Sequence, residues 1–352
     1  MAQFTFWNLK DDTGRYRKYA EKCVEGSPYH LTEYLLAEGE AEDGDTKIFL
    51  LEENGKFVLS TGVVREINRL PYMKELGEKV YDMITPHEYG GIISNDCSNS
   101  LKQELLEKVS LYCRDNNIIF QFARINPFFP RLPKIYERSG FELVHSNSQV
   151  YVDLDLTEED IMADYKSNVR RNLKRAVKEG LQFGLAEKSM ANLVIFQDMY
   201  QKAMDILEAK RFLYFNREYF RQLLDCDCSK LAFVQDAEGQ TIAAGIMLTG
   251  GNTVYYHLGC FDRGHASKRP MNYLMHSMIL WSRDAGYGRF HLGGGGRSLM
   301  QFKEGYSSTR VDYYTASQIC IPEKYKGICE IWKERFPQFA EEHYFPLYRY
   351  NE

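Results

Sequence analysis

Four consecutive glycines, Gly293–Gly296, set the tightest local limit on how this chain folds. They follow a short apolar strand, Phe290 to Leu292. They precede a polar turn and an amphipathic segment that ends Phe302-Lys303-Glu304-Gly305-Tyr306. Glycine takes positive φ at no steric cost and lets backbone approach a ligand closely. Backbone N–H groups freed at such a turn, beside a helix start, suit an anion or a polarised carbonyl. Lys303 adds a fixed positive charge one turn further on. The stretch therefore reads as a strand-to-helix turn, either purely structural or serving as an anion or acyl-carbonyl site.

What surrounds the glycines narrows the fold. Strands are predicted over 230–236, 241–248 and 253–258, joined by turns at Glu238-Gly239 and Gly250-Gly251. A helix from Pro270 to Ala285 follows, with Pro at its first position and Gly286 just past its end. The glycine strand, a helix and an alternating strand over 310–319 complete the run. Hairpins mixed with a crossover helix make an α/β domain with a mixed sheet. Residues 47–153 repeat the order more faintly, opening on a hairpin signal at Asn54-Gly55. Helices are also expected over 73–83, 99–116, 192–209 and 217–224, with one long helix over 158–179. The expected organisation is two similarly built domains, residues 1–150 and 151–320, with the aromatic tail 321–352 packing back on the first.

Bulk properties exclude several classes. At 352 residues the chain is long enough for two ordinary domains. A net charge of −5 argues against a general polyanion binder but allows a local basic patch. No CxxC pair occurs, and the single CxC, Cys226 and Cys228, has no neighbouring His/Cys pair, so no metal site is expected. The N-terminus lacks a charged-then-apolar leader pattern, and no run nears the ~18 apolar residues of a membrane span. These features predict a cytoplasmic protein with reduced thiols.

The segment 230–319 resembles the acetyltransferase-like GNAT fold in the variant found in Fem-type aminoacyltransferases. The similar pieces are Tyr255-Tyr256-His257-Leu258-Gly259, Trp281 through Gly286, His291-Leu292-Gly293-Gly294-Gly295, and Phe302-Lys303 with Gly305-Tyr306. Val152-Asp153-Leu154 and the basic stretch Lys166 to Lys174 also match, as do Tyr89-Gly90-Gly91, Phe122 to Pro127 and Tyr136 to Phe141 in the first half. The resemblance implies two tandem GNAT-like acyltransferase domains. It also implies transfer of an aminoacyl group from aminoacyl-tRNA onto an amine of a cell-wall precursor, or of an acyl group from acyl-CoA in relatives tied to polysaccharides. The donor would be a co-substrate, with no bound cofactor. Two departures stand out. Residues 192–224 are too short for the long helical arm some members carry, and Ser27 to Ala37 has no Lys where others meet a diphosphate.

Such chemistry needs a neutral amine, a donor held beside it, and positive charge where the carbonyl oxygen becomes an oxyanion. Lys303 is the candidate for that charge, with Phe302, Tyr256 and the backbone of Gly293, Gly294 and Gly295 around the substrate. His257 and His291 are the leading candidate bases, ahead of Asp262 and Tyr256, and a substrate-assisted route without a protein base stays open. Tyr89, Gly90 and Gly91, with Lys210 and Arg211, are expected to contact the acceptor, in a cleft between the domains. Lys166, Arg170, Arg171 and Lys174 lie on adjoining faces of a basic helix that would meet donor phosphates or tRNA. The competing classes are a non-catalytic protein that keeps the fold to bind a polar, amine-bearing ligand, and an RNA-binding accessory protein.

Overall fold

The computed structural model describes residues 2–95, 97–209, 213–339 and 346–350. The chain divides into two compact units. One comprises residues 1–25, 29–146 and 314–352; the other comprises 26–28 and 147–313.

In the first unit, β1 (Gln3–Asn8) and α1 (Thr13–Ala20) precede α2 (Thr32–Ala41) and the hairpin β2 (Gly44–Glu53) and β3 (Lys56–Glu66). Then come β4 (Tyr81–Ile84), β5 (Ile92–Ser94), α3 (Asn99–Asp115), β6 (Ile118–Arg124), α4 (Leu132–Arg138) and the start of β7 (Glu142–Asp153). The hairpin turns where its sequence asks: Asn54 and Gly55 both take positive φ, 50° and 76°, and Glu53 pairs with Lys56. The sheet runs β1-β2-β3-β4-β6, antiparallel throughout except for parallel β4 and β6, with β5 on β3. Alternation then splits its side chains. Phe49, Leu51 and Val58 join the α3 core, while Ile48, Leu50 and Leu59 join the core with Tyr16 and Leu35 from α1 and α2.

In the second unit, α5 (Glu158–Asp164), α6 (Ser167–Lys178), β8 (Gln182–Ala186), α7 (Met190–Ile206) and α8 (Arg217–Asp225) lead into β9 (Ser229–Gln235), β10 (Thr241–Gly250) and β11 (Thr253–Phe261). The unit continues with α9 (Pro270–Asp284), β12 (Arg289–Gly293) and α10 (Arg297–Lys303). The next strand, β13 (Arg310–Ile319), starts here and ends in the first unit, which also holds α11 (Pro322–Arg335). Strand order is β7-β12-β11-β10-β9-β8. Only β11 and β12 run parallel, and they pair over three residues, Thr253 to Tyr255 against Arg289 to His291. The core packs Leu274, Met275, Met278 and Ile279 of α9 and Val169 and Leu173 of α6 on Val152, Val234, Met247, Val254, Phe290 and Leu292 of the sheet.

Three expectations are corrected. The single helix over 158–179 is two helices, broken at Tyr165 and Lys166. Tyr165 adopts extended angles (φ −63°, ψ 137°), and Lys166 N donates to Gly305 O at 2.9 Å. Arg170 Nη1 takes up the carbonyls of Met162, Ala163 and Tyr165 at the break. The stretch 73–83 is not a helix: a turn-rich segment leads into β4, whose register against β3 and β6 outweighs the helical pattern. The tail, read only as aromatic, contains α11, with Trp332 fully buried beside Tyr348. No helix among the described residues is long and apolar enough to cross a membrane.

Candidate active site

The glycine loop begins at the C-terminal end of β12. Gly293 (φ 75°) and Gly295 (φ 145°) hold conformations that L side chains rarely adopt, so a side chain there would be strained. A Cβ on Gly295 would come within 2.6 Å of Leu299 Cδ2. The loop then enters α10, which ends on Lys303.

Lys303 is only 5% exposed. Its Nζ donates to Gly294 O at 2.5 Å and lies 5.6 Å from the centre of the Tyr256 ring. The ammonium thus braces the glycine loop from beneath. Tyr256 is half-buried, and burial raises its hydroxyl above the usual tyrosine range. It lies over Gly259, where a Cβ would meet Tyr256 Oη at 2.2 Å. Phe302 packs edge-on to Tyr306, with centroids 5.3 Å apart. Tyr306 is fully buried, and its hydroxyl accepts from Asn272 Nδ2 at 2.9 Å.

The two histidines are not brought to this cluster. Tyr256 pairs with Met247 and joins the α9 side of the sheet, whereas Tyr255 and His257 point to the other face. His257 Nε2 lies 3.2 Å from Tyr219 Oη of α8. His291 is 1% exposed, and its ring stands perpendicular to that of Tyr255, its partner across the parallel pair. Asp262, just past β11, accepts from Gly264 N at 2.8 Å and from His265 Nδ1 at 3.0 Å. The Gly264 amide first, and His265 after it, hold its carboxyl below the ordinary range.

The basic helix α6 divides its charges. Arg170 is spent on the carbonyls at the helix break, and Lys166 pairs with Glu304 at 3.7 Å. Arg171 and Lys174 are exposed. In the first unit, Tyr89 is buried and packs edge-on to Tyr29, Gly90 N donates to Arg124 O at 2.8 Å, and Gly91 takes φ 110°. His30 Nε2 lies 3.4 Å from Gly91 O. Lys210 and Arg211 lie outside the described residues.

Two carboxamides that belong to none of the sequence motifs also border the glycine loop. Asn147 and Gln149 of β7 lie beside Gly294. A Cβ on Gly294 would come within 3.1 Å of Gln149 Nε2 and 3.6 Å of Asn147 Nδ2. Nothing local marks them, because the pairing of β7 with β12 brings them to a loop far along the chain.

Residues 163–304 match the model of the acetyltransferase (GNAT) domain. No curated protein sequence matches the chain. Among solved structures, FemX superposes with a TM-score of 0.69 at 11% identity, over 93% of this chain and 99% of that one. A domain assigned as the C-terminal part of a lysylphosphatidylglycerol synthetase from Agrobacterium fabrum gives 0.58 at 16% identity, over 91% and 96%. L-PGS from Bacillus licheniformis gives 0.54 at 17%, over 80% and 86%. The chain is therefore a mixed α/β protein with the fold of FemX, two GNAT-like units in tandem, of which the second carries the matched acetyltransferase domain.

Proposed function

We propose that the protein is an N-acyltransferase that moves an aminoacyl group from aminoacyl-tRNA, or an acyl group from acyl-CoA, onto an amine of a cell-wall or polysaccharide precursor. The observation that carries this reading is Lys303, a nearly buried ammonium braced against the glycine loop where β11 and β12 stop pairing. An ammonium has three N–H donors. Fixed charge at that place stabilises an oxyanion without reorganisation, the largest single contribution in many acyl transfers. The amine nitrogen attacks the carbonyl carbon and a C–N bond forms. The C–O or C–S bond to the carrier breaks, and the amine's proton leaves with the carrier's oxygen or sulfur. A structural neighbour named for lysylphosphatidylglycerol synthesis supports an aminoacyl donor. The exposed Arg171 and Lys174 of α6 suit a donor's phosphates.

The test supplies charged tRNA and acyl-CoA in parallel, with a panel of amines, and follows which donor loses its acyl group to an amine. Lys303→Ala is expected to lower kcat/KM by about 10²–10³-fold with an unchanged circular dichroism spectrum. Turnover equal to wild type removes Lys303 from the mechanism. Absence of transfer from either donor, with tight binding of an amine-bearing ligand, replaces the reading with that of a binding protein.

A further inference from the structure

The acyl-transfer reading leaves one polar group beside the glycine loop without a task. Asn147 Oδ1 is fully buried and has no hydrogen-bond partner among the described residues. A buried carbonyl oxygen without a donor is rare in folded proteins and calls for an explanation. This one lies against Gly294: a Cβ there would be 3.8 Å from Oδ1 and 3.6 Å from Nδ2. Gly294 is also the residue whose carbonyl receives Lys303. One glycine thus meets the candidate oxyanion charge through its carbonyl, and the space a side chain there would fill borders the idle carboxamide.

The chemistry of that oxygen selects its partner. It accepts hydrogen bonds and, as a carboxamide, does not take up a proton. The attacking amine must give up a proton during the reaction, so a non-basic acceptor suits it poorly. The α-amino group of an aminoacyl donor keeps its protons throughout and sits one carbon from the carbonyl that reacts. An acyl group without an α-amine offers nothing to this oxygen and leaves it buried and unpaired, the arrangement by which sites reject an analogue that lacks a polar group.

We propose that Asn147 recognises the α-ammonium of the donor's aminoacyl group, through Oδ1, and so selects aminoacyl over plain acyl donors. This rests on the acyl-transfer reading and narrows it to one donor class.

The test measures binding by calorimetry, with no acceptor present. The probes are a puromycin-type 3′-alanylamido adenosine and its desamino counterpart, 3′-propionylamido adenosine. Wild type is expected to bind the alanyl compound at least about tenfold more tightly. In Asn147→Ala the two affinities fall within about twofold of each other, and Asn147→Asp, which restores an acceptor, restores the preference. A wild-type protein without preference overturns the proposal. So does a preference that survives in Asn147→Ala, which would mean that only water meets this oxygen. If acetyl-CoA is turned over with added amines and neither nucleoside binds, the Asn147 assignment fails and the acyl-transfer reading stands. If no donor transfers its acyl group to any amine, both fail.

Discussion

His30 shows what burial does to a single titratable group. The residue is 3% exposed, and its Nδ1 has no hydrogen-bond partner among the described residues. Burial, only partly offset by Gly91 O and Glu25, lowers its pKa to about 4 from 6.5. Between those values the unfolded chain binds a proton that the folded protein does not, so stability falls as pH drops below 6.5 and levels off below 4. The loss from pH 7.5 to pH 4.5 is expected to reach about 2–3 kcal/mol. Urea midpoints at the two pH values should diverge less for His30→Gln than for wild type, and an identical pH dependence would acquit His30. At this scale the sequence was legible only where chemistry is local. Phe302, Lys303 and the glycines lie within one stretch, and the structure keeps them together. His257 looked equivalent to Tyr256 beside it, yet pleating sends neighbours to opposite faces, which residue type alone does not announce. Asn147 carried no local signal at all.

Elements were legible where a cap or turn is written in the chain. Asn54-Gly55, Pro270 and Gly286 mark their boundaries, and the strands and helices there fall where the sequence places them. The break between α5 and α6 was not legible, because its cause is distant: Gly305 O draws in the Lys166 amide, and Val169 fits against Gly305, where a Cβ would approach to 2.6 Å. Arg170 holds the break by serving three carbonyls that a continuous helix would have satisfied internally. Arg170→Ala is expected to cost about 1–3 kcal/mol, the range for stranding hydrogen-bonded groups, read as a lowered thermal midpoint. Arg170→Lys should recover part of it, since all three bonds come from the single Nη1 and an ammonium carries three N–H donors on one nitrogen. A midpoint unchanged in Arg170→Ala would mean that Gly305 alone sets the break.

Across the whole molecule, the end of the chain is tied to its beginning by charge. Asp82 of β4 is fully buried and accepts from Arg349 Nε at 2.6 Å, Arg65 Nε at 2.9 Å and Tyr348 Oη at 3.2 Å. Burial alone would raise its carboxyl. Arg349 and Arg65 together outweigh it, so the group stays below the usual carboxylate range. Its stabilisation is therefore complete above the unfolded value of about 3.9 and is lost as pH falls through the lower, folded one. Arg349→Ala leaves that carboxylate short of a partner in the interior and is expected to cost about 3–5 kcal/mol, measured as a shift in denaturant midpoint at pH 7. A shift below about 1 kcal/mol would place the tail's contribution in Trp332 and Tyr348 packing instead.

Because β11 and β12 pair over three residues only, the sheet of the second unit carries a seam, with β8 to β11 on one side and β12 with β7 on the other. The groups that face one another past the seam belong to the main chain, and every amino acid but proline supplies the same pair. Mutation can rewrite nearly every side chain along such a seam and leave these main-chain groups unaltered. A chain only 11% identical to FemX can thus keep the same fold while the side chains along that seam differ.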